Sequence, residues 1–354
     1  MATILRPDRP MRALLGALLL LTLTLTAAAP ARPVADAPFQ MPDMHLHDPW
    51  IVADKASGIY YLFTRNEAVM TGDRQLGIMV YASRDLKHWS KPKLAFALPP
   101  GTWAKAGSWA PEVHGWRGRH YLFATFHDED AKLPVKGYRR ATVLAVSDKI
   151  DGPYVLVRNG EPIVPKDQMT LDGTLYVDPA GKPWLVYAHE WIQTTIGMIE
   201  AIPLKDDLSP AGEPKMLFRA DEADWAVGQK QPNGDLVYVT DGPELFRTNG
   251  GTLLMLWSSY GKAGYVQALA RSRSGEVEGP WEQLGPLVER DSGHGMLFHA
   301  FDGRLMMIVH RPFTDARGKL YEMRDAGDRV EVVREITELD GERCPTHPNP
   351  KKAC

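Results

Sequence analysis

The sequence predicts an all-β protein: one five-bladed β-propeller, a single domain over residues 40–335. Three observations predict it. Short apolar runs recur five times, each opened by a Gly. The steps between them are 60, 64, 69 and 51 residues, each long enough for a four-stranded sheet. Few windows carry a 3.6-residue apolar period over three turns, which removes helices as the main element. The length of 354 residues suggests two domains at about 150 residues each, but a closed ring of blades uses such a length as one.

The elements follow in order. The first run is Gly58-Ile59-Tyr60-Tyr61-Leu62-Phe63, with a further strand over residues 78–83 and a turn at Asp85-Leu86-Lys87-His88-Trp89. The second is Gly118-Arg119-His120-Tyr121-Leu122-Phe123, then residues 142–147 and the turn Asp151-Gly152-Pro153-Tyr154. The third is Gly181-Lys182-Pro183-Trp184-Leu185-Val186-Tyr187. The fourth is Gly251-Thr252-Leu253-Leu254-Met255-Leu256-Trp257, then residues 266–272 and Glu278-Gly279-Pro280-Trp281. The fifth is Gly303-Arg304-Leu305-Met306-Met307-Ile308. Aromatic and bulky apolar residues fill these runs, as a pleated, half-buried surface favours, and Gly, Pro and Asp punctuate them as turns require.

The ends have a different character. Arg6, Arg9 and Arg12 precede a short apolar stretch, residues 13–25, which ends in Ala27-Ala28-Ala29-Pro30-Ala31. A basic start, a short apolar middle and small residues predict a secretory signal peptide, residues 1–31, with cleavage as late as Ala37. The stretch is short of the ~20 apolar residues a membrane span needs. A secreted or periplasmic product, with no membrane association after cleavage, follows. Residues 336–354 form a tail carrying both cysteines, Cys344 and Cys354, which an oxidising compartment would close into a local disulfide.

Composition narrows the function. Lys+Arg number 41 against 44 Asp+Glu, a net charge of −3, with no basic run, so a nucleic-acid partner is not expected. There is no Walker-type loop, no dinucleotide fingerprint and no serine nucleophile elbow. Ten Trp and twelve Tyr suit strands and flat, sugar-like ligands alike.

Three carboxylates stand at one place in the repeat. Thirteen residues before Tyr61, Leu185 and Leu254 are Asp48, Asp172 and Asp241, each followed by Gly or Pro. The matching place in the second repeat is looser: Glu112 lies nine before Tyr121, and His294 lies eleven before Leu305 in the fifth. The first strand of each propeller blade lines the central channel, so these positions converge on the axis. Carboxylates brought together raise one another's pKa, which a glycosidic-bond hydrolase exploits: one ionised carboxylate activates water while a protonated one releases the leaving group.

The motifs Asp48-Pro49-Trp50, Trp109-Ala110-Pro111-Glu112-Val113-His114, Asp172-Gly173-Thr174-Leu175-Tyr176-Val177-Asp178, Asp241-Gly242-Pro243 and Gly293-His294-Gly295, in that order, resemble glycoside hydrolase family 43 over residues 43–330. The resemblance implies a five-bladed propeller and an inverting glycosidase acting on arabinose-, xylose- or galactose-containing plant polysaccharides. It implies Asp48 as the base and Asp172 as the acid that tunes the proton donor. The family has Glu before Gly-Pro in the fourth blade, where this chain has Asp241. Three readings stay open: Asp241 is the donor, Glu190 has taken over, or the pocket is that of a carbohydrate-binding propeller without turnover; Glu244 is a remote fourth candidate.

His294 resembles the family's axial histidine, which implies a structural calcium in the channel held mostly through water; no cofactor is required for the chemistry. The alternative for His294 is a buried imidazole satisfied by a neighbour. His45 and His47 share one face of an extended segment and could hold a transition metal. Trp50, Trp109, Glu112, Trp191 and Arg311 are expected at the carbohydrate substrate, the tryptophans because an aromatic face packs on a sugar's C–H face. Arg311 has an alternative, pairing with a carboxylate. Trp184 and Trp257 are expected in the core.

Overall fold

The structure, a computed structural model, describes residues 38–340. The chain folds as five antiparallel four-stranded sheets, each built from consecutive strands, the propeller that the repeats predict. Blade 1 comprises Trp50–Asp54, Ile59–Arg65, Gly77–Ser83 and Lys93–Ala97. Blade 2 comprises Ala106–Trp116, Arg119–Lys132, Tyr138–Ser147 and Val155–Leu156. Blade 3 comprises Thr170–Val177, Pro183–His189, Met198–Pro203 and Lys215–Arg219. Blade 4 comprises Asp241–Arg247, Leu253–Gly261, Gly264–Ser272 and Trp281–Val288. Blade 5 comprises Gly293–His299, Leu305–Arg311, Arg317–Asp325 and Val330–Glu335. Between blades 3 and 4 a small hairpin pairs Gln229–Lys230 with Leu236–Val237. The expected signal peptide and the Cys344 and Cys354 pair lie outside the described residues. No helix among the described residues is long and apolar enough to cross a membrane.

First strands of neighbouring blades touch in a ring, and that of blade 5 touches that of blade 1. Among the described residues no strand is shared between the first and last blades. The ring closes instead through packing and a few hydrogen bonds. Leu46 N donates to Ala316 O at 3.1 Å, Phe301 N donates to the Tyr60 hydroxyl at 2.7 Å, and the Tyr60 and Phe301 rings stack at 3.9 Å. Met41 and Met44, both wholly buried, sit in one apolar cluster with Leu62 of blade 1 and Ile308 and Leu320 of blade 5. Each such side chain contributes roughly 1.5–3 kcal/mol by leaving water. Trp184 and Trp257 are buried between blades 3 and 4, in the core as expected.

The backbone shows what the true repeat register is. Asp48, Ala110, Asp172, Gly242 and His294 all adopt left-handed φ, at 49, 45, 55, 52 and 48°. Each stands two residues before the first regularly paired inner-strand residue: Trp50 opposite Phe63, Glu112 opposite Phe123, Thr174 opposite Val186, Glu244 opposite Leu256 and Met296 opposite Ile308. Every blade therefore passes its chain through a left-handed residue as it enters the inner strand; in the four blades where that residue is not glycine the backbone is strained, and such strain gathers at functional sites.

Two expectations are corrected here. Asp241 is not the equivalent of Asp48 and Asp172; it stands one residue before Gly242, which is. Glu112 is not the blade-2 equivalent either; Ala110 is, and Glu112 shares its register with Glu244. Counting along the chain misses this because inner hairpin turns differ in length and bulges interrupt the pairing in blades 2, 3, 4 and 5. Glycine is required at 242: its φ is left-handed, and a Cβ would lie 2.9 Å from His294 Cδ2.

Candidate active site

At one mouth of the channel lies a cavity of about 610 Å³ whose floor brings together Asp48, Asp172, Asp241 and His294. Blade 2 contributes Trp109 and Arg140 to its wall; the connection between the second and third strands of blade 3 contributes Glu190 and Trp191. Blade 4 contributes Tyr260 and Tyr265, and the connection between the second and third strands of blade 5 contributes Phe313. The hairpin adds Gln229, Lys230 and Gln231. Carboxylates from three blades thus share one space, as their spacing predicts.

Asp48 is 8% exposed. Its Oδ1 lies 2.9 Å from His47 Nδ1, 3.3 Å from His294 Nδ1 and 3.4 Å from His310 Nδ1. Its Oδ2 accepts the backbone N–H of Ala110 at 3.2 Å. Burial works against ionisation, but the imidazoles of His294, His47 and His310 outweigh it and hold the carboxyl well below the usual range. Asp48 is ionised at neutral pH. His310 is wholly buried, and that burial, with the charge of His47, lowers its pKa to about 4. It stays neutral and accepts the Asp48 N–H on Nδ1 at 3.3 Å.

Asp172 occupies the same place in blade 3 and is 2% exposed. Its Oδ2 accepts the N–H of Gly242 at 3.0 Å and lies 3.7 Å from His294 Nδ1. Two threonines of blade 2 brace its backbone: Asp172 N donates to Thr125 Oγ1 and Gly173 N to Thr142 Oγ1, both at 2.9 Å. Burial, reinforced by the charge of Asp48, raises its pKa well above the ordinary value despite the Gly242 bond. One backbone position therefore has its carboxyl pKa pushed in opposite directions in two blades.

Asp241 Oδ2 accepts the Tyr265 hydroxyl at 2.9 Å. Burial, then the proximity of Asp172, push this carboxyl well up, against the opposing pull of His294. Glu190, 4% exposed, is bonded through Oε2 to Nη1 of Arg140. That guanidinium lies 4.7 Å over the Trp109 ring and is bonded to the Tyr138 hydroxyl. A carboxylate tied to an arginine so held has no freedom to swing toward a leaving group.

The remaining expected residues divide. Trp109 and Trp191 line the cavity. Trp50 does not: as an inner-strand residue it points into the core, its Nε1 donating to Val113 O at 3.1 Å and its ring 4.9 Å from His114. Glu112 lies below the cavity, paired with His114 Nε2 at 2.8 Å. Glu244 is buried and accepts Leu297 N at 2.9 Å. Arg311 faces its own blade, where it pairs with Glu335 and donates to the Tyr321 hydroxyl at 2.9 Å, the second of its two expected roles. His310, Tyr265 and Arg140 also reach the site and were not assigned by the sequence analysis, and His47, read there only as a candidate metal ligand, reaches Asp48. Only proximity in the fold marks them, apart from His47, which adjoins Asp48 in the chain.

The metal expectations fare unequally. His45 and His47 do not share a ligand: His47 turns to Asp48, and His45 lies 3.8 Å from Asp315. His47, Asp48 and His310 bring ligand atoms within 4.8 Å of one another, a set of two imidazoles and one carboxylate. Calcium takes about six to eight oxygens, so that set does not fit it, and His294 spends Nδ1 between two carboxylates.

The chain is similar to several known proteins. A family model described as "Glycosyl hydrolases family 43" matches residues 42–327. An endo-arabinase from Bacteroides thetaiotaomicron, of known structure, is 37% identical with a TM-score of 0.72, covering 81% of this chain and 96% of that one. The "Extracellular endo-alpha-(1->5)-L-arabinanase 1" of Bacillus subtilis is 23% identical over 73% of each chain. A protein of Escherichia coli named "Putative beta-xylosidase" is 29% identical over 67% of this chain. The chain spans less than half of that protein's length, 44%.

Proposed function

The chain belongs to glycosyl hydrolases family 43, and from that premise we propose that it hydrolyses glycosidic bonds of an arabinan-type polysaccharide with inversion at the anomeric carbon. One observation carries the reading: at a single cavity three imidazoles crowd Asp48 Oδ1 at 2.9–3.4 Å, which favours its ionised form, while Asp241 is buried beside Asp172, which favours its protonated form. An inverting hydrolase needs that pair of states.

The steps balance without a cofactor. A water on one face of the sugar gives a proton to Asp48 as its oxygen bonds to the anomeric carbon. The bond from that carbon to the leaving oxygen breaks, and Asp241 delivers its proton to that oxygen. Asp48 ends protonated and Asp241 ionised; exchange with solvent resets both. Because Tyr265 donates to Asp241 Oδ2, the acidic proton belongs on Oδ1. Asp172, packed beside Asp241, opposes negative charge on the donor and so favours its protonated form. Glu190 is the weaker donor candidate, since Arg140 holds it. Trp109 and Trp191 offer aromatic surface to the sugar rings.

Arabinan comes first because the endo-arabinase shares 37% of its residues with this chain over 96% of its own length; xylan is second, by analogy with the xylosidase relative. The basic and apolar leader supports action outside the cytoplasm, which N-terminal sequencing of the exported protein checks.

The test is a panel of linear arabinan, xylan and aryl glycosides, with proton NMR of the first anomer released. Release of the inverted anomer from arabinan is the expected result. Retention of configuration overturns the mechanism. Calorimetric binding with no new reducing ends on any substrate supports the carbohydrate-binding alternative that the Asp at position 241 raises.

A further inference from the structure

A second cavity of about 330 Å³ adjoins the first between blades 1 and 5. The two share a partition made of His47, Arg65 and Phe313. The second is completed by Glu67, Thr314 and Asp315, with His45 at its rim. Its size lies at the lower end of small-ligand pockets, about 300 Å³ and up.

The partition is held from both sides. His47 is bonded to Asp48, and the Phe313 ring stands edge-on to His47 at 5.2 Å. Asp291 clamps the wall by accepting Tyr265 N at 3.3 Å on one oxygen and Phe313 N at 3.1 Å on the other. The side chains that position the reacting carboxylates therefore also shape the second cavity.

Its chemistry is that of a neutral polyol. Arg65 donates Nε to Glu67 Oε1 at 2.7 Å, and its side chain is 43% exposed. Its two terminal nitrogens make no hydrogen bond among the described residues, so the outer edge of the guanidinium fork remains for a ligand. A planar fork suits two adjacent oxygens. Glu67 and Asp315 supply acceptors, Thr314 a hydroxyl, and Phe313 an apolar face. Cations and carboxylates are mixed, which disfavours a phosphate or a uronate relative to an uncharged sugar.

We propose that this second cavity is a saccharide subsite that holds the sugar next to the one at the carboxylates, with Arg65 as its principal hydrogen-bond donor. The proposal rests on the hydrolase reading above and adds to it where the neighbouring sugar of the chain is held. The sugar in the second cavity supplies binding energy that a single ring cannot.

The test uses the full mature chain, a methyl arabinofuranoside and an α-1,5-linked arabinotriose. The methyl glycoside needs only the first cavity. Thr314 is exposed and lines only the second cavity. Thr314→Trp fills that space and is expected to lower kcat/KM for the triose by about tenfold while the methyl glycoside changes by less than about twofold. Arg65→Met, which keeps the stem and removes the fork, should lower triose turnover more than that of the methyl glycoside. Equal loss on both substrates, or loss on neither, overturns the subsite. If wild-type protein cleaves neither, the hydrolase reading has failed separately. Triose binding by calorimetry then decides the subsite: about tenfold weakening by Thr314→Trp supports it, and unchanged binding overturns it.

Discussion

The two walls of the channel mouth invite comparison. On the side of blades 1 and 5, the ionised Asp48 is surrounded by His47, His294 and His310. On the side of blades 3 and 4, Asp172, Asp241 and Glu190 gather with one imidazole between them. The backbone does not distinguish the sides. Asp48 and Asp172 share a left-handed entry into the inner strand, and each accepts the N–H of the matching residue in the next blade, Ala110 or Gly242. Both are buried. What differs is the company each keeps, and that sets the protonation state. Burial alone would have neutralised both.

The predictions try to break this contrast. The largest effect belongs to Asp48→Asn, which removes the one ionised base. Turnover should fall by about 10³–10⁴-fold, near the upper end of what a general base supplies, with an unchanged melting curve. Full activity in this variant would remove Asp48 from the reaction.

Asp241→Asn comes next and tests the other wall. Loss of a proton donor hurts poor leaving groups most. The variant should lose about 10²–10³-fold on arabinan and under about tenfold on a nitrophenyl glycoside. Glu190→Gln should hurt both substrates alike, through the loosened Arg140. If Glu190→Gln shows the leaving-group dependence instead, the donor assignment reverses.

Tyr265→Phe sharpens the comparison rather than breaking it. The Tyr265 hydroxyl stabilises the ionised form of Asp241, so its removal raises the donor's pKa. The donor must be protonated, and the rate falls as pH rises through that pKa. The basic limb of the pH–rate profile should therefore move to higher pH, with a several-fold cost in kcat from lost orientation, well under the effect of losing the donor itself.

His47→Gln is the smallest. Burial opposes charge on His47, but Asp48 raises its pKa overall, so a cation beside the base is lost. Asp48 then moves up toward its ordinary value. The rate requires it ionised and falls as pH drops through its pKa, so the acid limb should shift upward by about one unit or less. An unmoved acid limb would show that His294 and His310 suffice.

Several features were legible before any fold was seen. Asp48 and Asp172 could be placed together because blade repeats bring equivalent positions to one axis, whatever lies between them. Trp184 and Trp257 were legible as core because they sit in the apolar second strands. Asp241 was found for a partly mistaken reason. Its offset of thirteen matches those of Asp48 and Asp172, yet it belongs one residue earlier in its blade. Trp50 was misplaced because the left-handed Asp48 breaks the alternation of the strand, so a residue two along does not share its direction. Arg311 follows His310 in the strand and turns to the other face, where it takes the carboxylate-pairing role. Tyr265, Arg140 and His310 carry no motif at all.

The amino-acid order alone determined the architecture, since turn residues and apolar runs recurring at blade length admit few other closed solutions, and it determined that acidic residues meet at the axis. The division of labour among those acids was decided by tertiary structure. Protonation depends on charges and hydrogen bonds a few ångströms away, and those include groups on His310, Tyr265 and Arg140, on strands of three different blades. Short-range electrostatics in a buried site follows distances in space, which separations along a chain do not encode.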